Sequence, residues 1–290
     1  MDSRSQVRWA DLFPDEFLSR RQAQPVVYLP MGICEPHGYV STFGLDTYKA
    51  DYLCDEAARR FGGIVAPTQG YQIHESGYHA PWLAEVVGER PALMTGMPPH
   101  VMLYFFLYQL RAFHNAGFGA AVVITGHSGG NQYDFRLAAS LFSQHSGMTT
   151  MVFADNELVA GHYIGDHAGS YEISQSLYLR PDTINLTAIG RPEAPDSLGR
   201  FAQGPDAAQA TREQGQDIIE KSLDFLGEAV AKLNFSNHSF DRPLMPYATV
   251  EAIWHQLLAR QADWQTNALR PSQEATPNNS IWKPAEAFTL

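Results

Sequence analysis

Positive charge is the first thing this sequence is short of. Against 31 Asp and Glu it carries only 20 Lys and Arg, a formal charge of −11. A surface that acidic repels a phosphate backbone, so nucleic acid is excluded as an expected partner. Cysteine is scarcer still, with Cys34 and Cys54 the only two. They are too few for a disulfide framework, and no basic region precedes an apolar signal at Met1, so a reducing cytoplasm is the expected location. Long apolar runs are missing as well. The longest, residues 101–110, is broken by Gln109 and falls short of the roughly 18 residues that mark a spanning helix, so no membrane partner is expected. There is no internal repeat. What is present is enough apolar material, 44% of 290 residues, to bury a full core. The expected division is a main domain over 1–240 and a C-terminal helix and tail over 241–290, packed on that domain or on a neighbouring subunit.

Helical and strand-like patterns alternate through the first half. Residues 9–22 carry Leu12, Phe13, Phe17 and Leu18 at helical spacing, and 25–29 form an apolar strand. A helix over 47–61 stops at Gly62-Gly63, and 64–67 make a second short strand. An apolar helix over 98–116 leads to a buried strand at 120–124, a helix over 132–145 capped by Asn131, and a fourth strand at 149–154. This alternation predicts an α/β protein with a parallel sheet covered on both faces. Residues 68–99 are an irregular connection rich in Gly, Pro, His and aromatics, a length that usually serves function, and His74 and His79 on it can reach a site. Further on, helices are expected at 171–179, 207–233 and 249–265, with a loop over 189–205. Polar chain from Asn267 is expected to order against a neighbour.

The chemistry gathers in the polar loops. Residues 30–46 follow the first strand, where α/β proteins build their sites, and they contain Glu35, His37 and Asp46. His127 follows the strand at 120–124, and His167 and Glu172 flank the start of the helix at 171–179. Each has an ordinary local role available: Asp46 as a helix cap, His127 as a loop donor, Glu172 as a first-turn carboxylate favoured by the helix dipole. Taken together, carboxylates and imidazoles converging at one sheet end are the donor set of a divalent ion such as zinc, manganese or iron. Five or six such groups suit a two-metal site in which a bridging carboxylate holds the ions and a shared hydroxide attacks a carbonyl.

The chain resembles the creatininase (creatinine amidohydrolase) family. The matching stretches are Leu29-Pro30-Met31-Gly32 running to Glu35, His37 and Gly38; Asp46 at the head of a helix; Gly126-His127 with Gly129-Gly130-Asn131; and His167-Ala168-Gly169 with Glu172. The resemblance implies a three-layer α/β/α sandwich with a mainly parallel, about four-stranded sheet. It also implies ring-like homo-oligomers, with a hexamer the expected size, and a metal-dependent hydrolase of amide-type C–N bonds in a small-molecule substrate. By the same resemblance Glu35, Asp46 and His127 hold one ion, His37 and a bridging Asp46 hold a second, and His167 donates or accepts the proton. Ser128, Tyr163 and Asp166 are the expected substrate contacts. Two departures stand out. Family members carry a glutamate ligand two residues after the loop histidine, where this chain has Gly129, so the second ion is absent, weak or completed by Glu172. Where creatinine-hydrolysing members have a Trp-Asp pair that grips substrate, this chain has Tyr163-Ile164, which argues against creatinine. Formamides, a precursor peptide and an inositol-derived cyclic diketone are the other substrate types of the family.

Two other classes fit parts of the sequence. Gly126-His127-Ser128-Gly129-Gly130 matches Gly-x-Ser-x-Gly between a strand and a helix, which would make Ser128 a nucleophile with Asp155 or Asp166 and His255. Cys34 is a weaker nucleophile candidate. A non-catalytic oligomeric binding protein would keep the fold and show a broken ligand set.

Overall fold

The computed structural model describes residues 6–190 and 201–284. Part of the loop expected at 189–205 therefore lies outside the described residues. Four parallel strands, β1 (Val26–Met31), β2 (Ile64–Val65), β5 (Ala120–Thr125) and β6 (Thr149–Ala154), form a sheet in the order β2-β1-β5-β6. β1 and β5 are central and wholly buried, which explains their unbroken apolar runs. Alternate residues feed opposite faces: Val27, Leu29, Met31, Ala121 and Val123 enter one core, while Val26, Tyr28, Val122 and Ile124 enter the other. Helices α4 (Pro99–Asn115), α5 (Asn131–Ser146) and α8 (Tyr247–Leu258) cover the first face, with Phe17 of α1 (Pro14–Ala23) packed at its margin. The second is covered by α2 (Leu45–Phe61) and α7 (Arg212–Ala231), with α6 (Ser170–Leu179) packed on both. The architecture is a three-layer α/β/α sandwich.

The strand order reverses direction between β1 and β5, since β1 leads outward to β2 on one side and β5 to β6 on the other. Such a switch point opens a crevice beyond the carboxyl ends of the two strands. Two glycines let the backbone close in there. A Cβ on Gly126 would lie 2.0 Å from Asp46 O, and one on Gly32 would lie 2.4 Å from Thr47 Cα, so the first turn of α2 reaches the loops after β1 and β5 only because both side chains are missing.

The elements differ from the sequence reading in instructive places. Asn131 is the first residue of α5 and not its cap; Gly130, at φ +91°, precedes it, and the Asn131 side chain accepts from Gly129 N–H at 2.8 Å. The 68–99 connection holds a small parallel ladder of its own, β3 (Gln72–Ile73) with β4 (Gly96–Met97), and a short helix α3 (His79–Trp82). After α8 the chain is not free. Val250, Ile253, Trp254 and Leu257 of α8 are buried in this chain's own core. The Asp134 carboxylate accepts the N–H groups of Gln265 and Thr266, and Gln273 Nε2 and Trp282 Nε1 donate to the carbonyls of Tyr78 and Gly88. The tail expected to order against a neighbour lies across the 68–99 connection of its own chain.

Candidate metal centre

Glu35, His37, Asp46, His127 and Glu172 meet at the switch point, every one of them buried. The loop after β1 supplies Glu35 and His37, the first turn of α2 supplies Asp46, the loop after β5 supplies His127 and the first turn of α6 supplies Glu172. Their donor atoms fall into groups tight enough to hold an ion, one of Glu35, Asp46 and His127, another of His37, Asp46 and Glu172, and Asp46 belongs to both. A third group joins Glu35 and His37 to His167.

The hydrogen bonding presents lone pairs to the centre. His37 Nδ1 lies 3.0 Å from Glu35 O, which fixes the ring and turns Nε2 toward Asp46 Oδ1 and Glu172 Oε2, each 3.4 Å away. His37 Nε2 and Asp46 Oδ1 are both buried without a hydrogen-bond partner. Asp46 Oδ1 has the Lys49 ammonium 3.3 Å away, but a buried His37 Nε2 facing two carboxylates is costly to leave unpaired, and a cation among these atoms would remove that cost, so the donor set fits a divalent metal. Glu35 is held from two sides, by His127 Nδ1 at 2.8 Å and His74 Nε2 at 3.1 Å. His167 is the open member. Its Nε2 lies 3.1 Å from Pro36 O, its ring stacks on His37 at 4.7 Å, and Nδ1 faces Glu35 Oε1 at 3.9 Å.

The place where family members carry a glutamate is filled by other side chains. A Cβ on Gly129 would meet His79 Cε1 at 2.6 Å and Tyr78 Oη at 3.0 Å, and Glu172 stands with His37 and Asp46 instead. His74 and His79, each of which in sequence alone reads more readily as a surface or packed histidine than as a site residue, line the cavity. That cavity, about 470 Å³, also takes in Ser128, Asp166 and His167. Asp166 shapes the head of α6, accepting the N–H groups of Gly169, Tyr171 and Glu172. Tyr163 stands elsewhere: its hydroxyl donates to Asp217 at 2.6 Å, and Ile164 is 92% exposed. The rival triad is dispersed, because Asp155 is paired with Lys49 at 3.2 Å and His255 is exposed on α8.

Lys49 is the site residue that sequence reasoning missed, and Asp155, read there only as a possible triad acid, is its partner. Lys49 Nζ is buried 2.5 Å from Glu172 Oε1 and 3.3 Å from Asp46 Oδ1. The signal was there: Lys49 occupies the apolar stripe of α2 with Leu53 and Ala57, where a lone cation needs carboxylates.

Electrostatics tie the protons of this cluster to the ion. Burial opposes the His127 imidazolium, but Glu35 and Asp46 outweigh it and push its pKa from 6.5 up to about 10. His37 is raised too, against burial, by Asp46 and Glu172. A raised histidine pKa contributes stability that is complete below the unfolded value and is lost as pH climbs through the folded one. Metal-free protein should therefore lose Tm as pH rises from about 6.5 towards about 10. Ligand histidines must shed these protons, so the gain in Tm on adding Mn²⁺ should grow from about pH 6 to about pH 8.5. Differential scanning calorimetry across that range checks both; a metal-dependent gain that is flat or shrinks with pH contradicts the cluster as the binding site.

A family model described as creatininase, creatinine amidohydrolase, matches residues 10–230. The chain belongs to the creatininase family. The family is one of metal-dependent hydrolases, chiefly amidohydrolases. A creatinine amidohydrolase of Pseudomonas putida is 22% identical over 246 residues, 71% of this chain and 88% of that protein. Solved creatininases in a manganese form and, as a mutant, in a Zn-Zn form each superpose with a TM-score of 0.65 at 21% identity, covering 78% of this chain and 98% of theirs. At that identity the likeness shows the fold, a mainly parallel sheet between helices. Among the described residues no helix is long and apolar enough to cross a membrane.

Proposed function

We propose that the protein is a metal-dependent hydrolase of an amide-type C–N bond in a small molecule other than creatinine. The observation that carries this reading is Asp46: one buried carboxylate belongs to both candidate ion groups. Glu35, Asp46 and His127 would hold one ion, and His37, Asp46 and Glu172 a second. Bound there, a divalent ion such as Zn, Mn or Fe polarises a carbonyl and acidifies a water so that it attacks near neutral pH. The remaining work falls to the chain. Pro36 O fixes the His167 ring, leaving Nδ1 to hold and deliver the proton that the departing nitrogen needs. Ser128 and Asp166 stand on the cavity wall within reach of a bound molecule. Tyr163, hydrogen-bonded to Asp217, and the exposed Ile164 are not among the residues lining the cavity, which supports a substrate other than creatinine. The same reading takes the protein as a cytoplasmic homo-oligomer, a hexamer by family resemblance, for which light scattering on the purified chain is the check.

Chelation separates this mechanism from its serine rival. Removing metal with EDTA should abolish hydrolysis and readding it should restore the rate, while Ser128→Ala should keep most of the activity. Loss of activity in Ser128→Ala at full metal content would favour the serine nucleophile.

A further inference from the structure

One cation on the cavity wall comes from outside the part of the chain that the family model matches. That model ends at residue 230, whereas Arg270 and Gln273 line the cavity together with Glu35, His127 and His167. The tail that carries them is anchored. Ser76 Oγ donates to Thr266 O at 2.9 Å, Gln273 Nε2 donates to Tyr78 O at 3.0 Å, and Gln273 Oε1 accepts Arg270 N–H at 3.2 Å. The Arg270 guanidinium lies over the Tyr78 ring, 4.3 Å from its centroid. Tyr78 Oη in turn stands 3.0 Å from where a Cβ on Gly129 would be, two residues from His127. Arg270 thus shares a cavity with the candidate ligands, and the rings of Tyr78 and His79 stand between it and His127.

No carboxylate lies within ion-pair distance of Arg270 among the described residues; Arg20, Arg21, Arg90, Arg111, Arg212 and Arg242 share that lack, but of these arginines Arg270 is the one on the cavity wall. Held over the Tyr78 ring and hydrogen-bonded to that side chain, the guanidinium is pre-oriented and has further N–H donors left for a ligand. Set at the mouth of a site whose reacting end holds metal ligands, such a fork matches a carboxylate. We infer that Arg270 is a specificity-determining residue that binds a carboxylate of the substrate, so that the hydrolysed molecule is a small anionic amide. The inference rests on the amide-hydrolase reading for the reaction, though not for the recognition. On this account the C-terminal tail brings a substrate-reading cation to the metal pocket and, by covering residues 76–88, shapes the pocket's wall.

Binding to the Mn²⁺-loaded full chain is measured by calorimetry for N-formylglycine, N-carbamoylglycine and hydantoin-5-acetate, each beside its neutral methyl ester. Wild type is expected to bind at least one acid about 10- to 100-fold more tightly than its ester, and R270Q to lose that preference. R270K should keep part of it, since lysine retains the charge without the fork. Arg270 is exposed, so these variants should fold. An acid preference that survives R270Q, or none for any acid in wild type, overturns the inference. Turnover is read separately on the same compounds. Arg270-dependent binding without hydrolysis of any of them counts against the amide-hydrolase reading and leaves the inference standing. Hydrolysis with the same KM in wild type and R270Q counts against Arg270 alone.

Discussion

Replacing His167 with asparagine is expected to lower kcat by about 10²- to 10⁴-fold while the bound metal stays. A hydrolysed amide releases a poor leaving group, and a proton must reach the nitrogen as the bond breaks. Among the imidazoles of the cluster His167 is the half-exposed one, 39% open at its side chain, whereas His37 and His127 are buried. Its Nε2 is occupied by Pro36 O, so Nδ1 is the atom left to exchange a proton with bound substrate. Asparagine keeps a polar group of similar reach and has no ring nitrogen to pass a proton. A substrate with a better leaving group should recover part of the loss. The competing role is visible in the same geometry, since His167 also groups with Glu35 and His37 as donors to one ion. Metal content measured beside the rate separates the two: metal lost together with activity makes His167 a ligand.

Lys49→Met should be the most damaging single change to stability in the metal-free protein. The Lys49 ammonium is 1% exposed and touches three carboxylates, Asp46, Asp155 and Glu172. Burial works against the charge, yet Asp155, Glu172 and Asp46 hold its pKa well above the usual lysine value. Methionine fills a similar volume and leaves those carboxylates facing one another in a dry site. Breaking a buried pair in this way costs about 3–5 kcal/mol. Asp155 shows which group would yield first: burial raises its carboxyl to about 6 even with Lys49 beside it. Adding Asp155→Asn to Lys49→Met should therefore return a measurable part of the stability in chemical denaturation, because one uncompensated charge is removed. A double variant no more stable than Lys49→Met would show that Lys49 acts through Glu172 and Asp46 alone.

The parts of the molecule that were legible in the sequence share a physical cause. β1 and β5 are buried on both faces, and their runs of Val, Ile and Leu read directly as central parallel strands. The candidate ligand cluster could be read because Glu35, His37 and His127 follow those strands in short polar loops, where Gly32 and Gly126 allow close approach, while Asp46 and Glu172 join them from the first turns of α2 and α6. Lys49 was not read, since a helix pattern predicts which face is buried but not that a lysine on it meets carboxylates from α6 and the turn after β6. The 68–99 connection was read as irregular because β3 and β4 are only two residues long, below what alternation can reveal. Arg270 was invisible for a different reason. It belongs to a polar, proline-containing stretch with no periodicity, and its position is set by contacts with Tyr78, far earlier in the chain.

Anomalous scattering from crystals grown with Mn²⁺ or Zn²⁺ tests most directly whether Asp46 joins two ion groups in one centre. The expected result is a peak about 2.0–2.3 Å from donor atoms of Glu35, Asp46 and His127, with any second peak between His37, Asp46 and Glu172. No peak at Asp46 in protein that carries metal elsewhere, or these side chains turned away from one another, would contradict the metal centre and the hydrolase built on it.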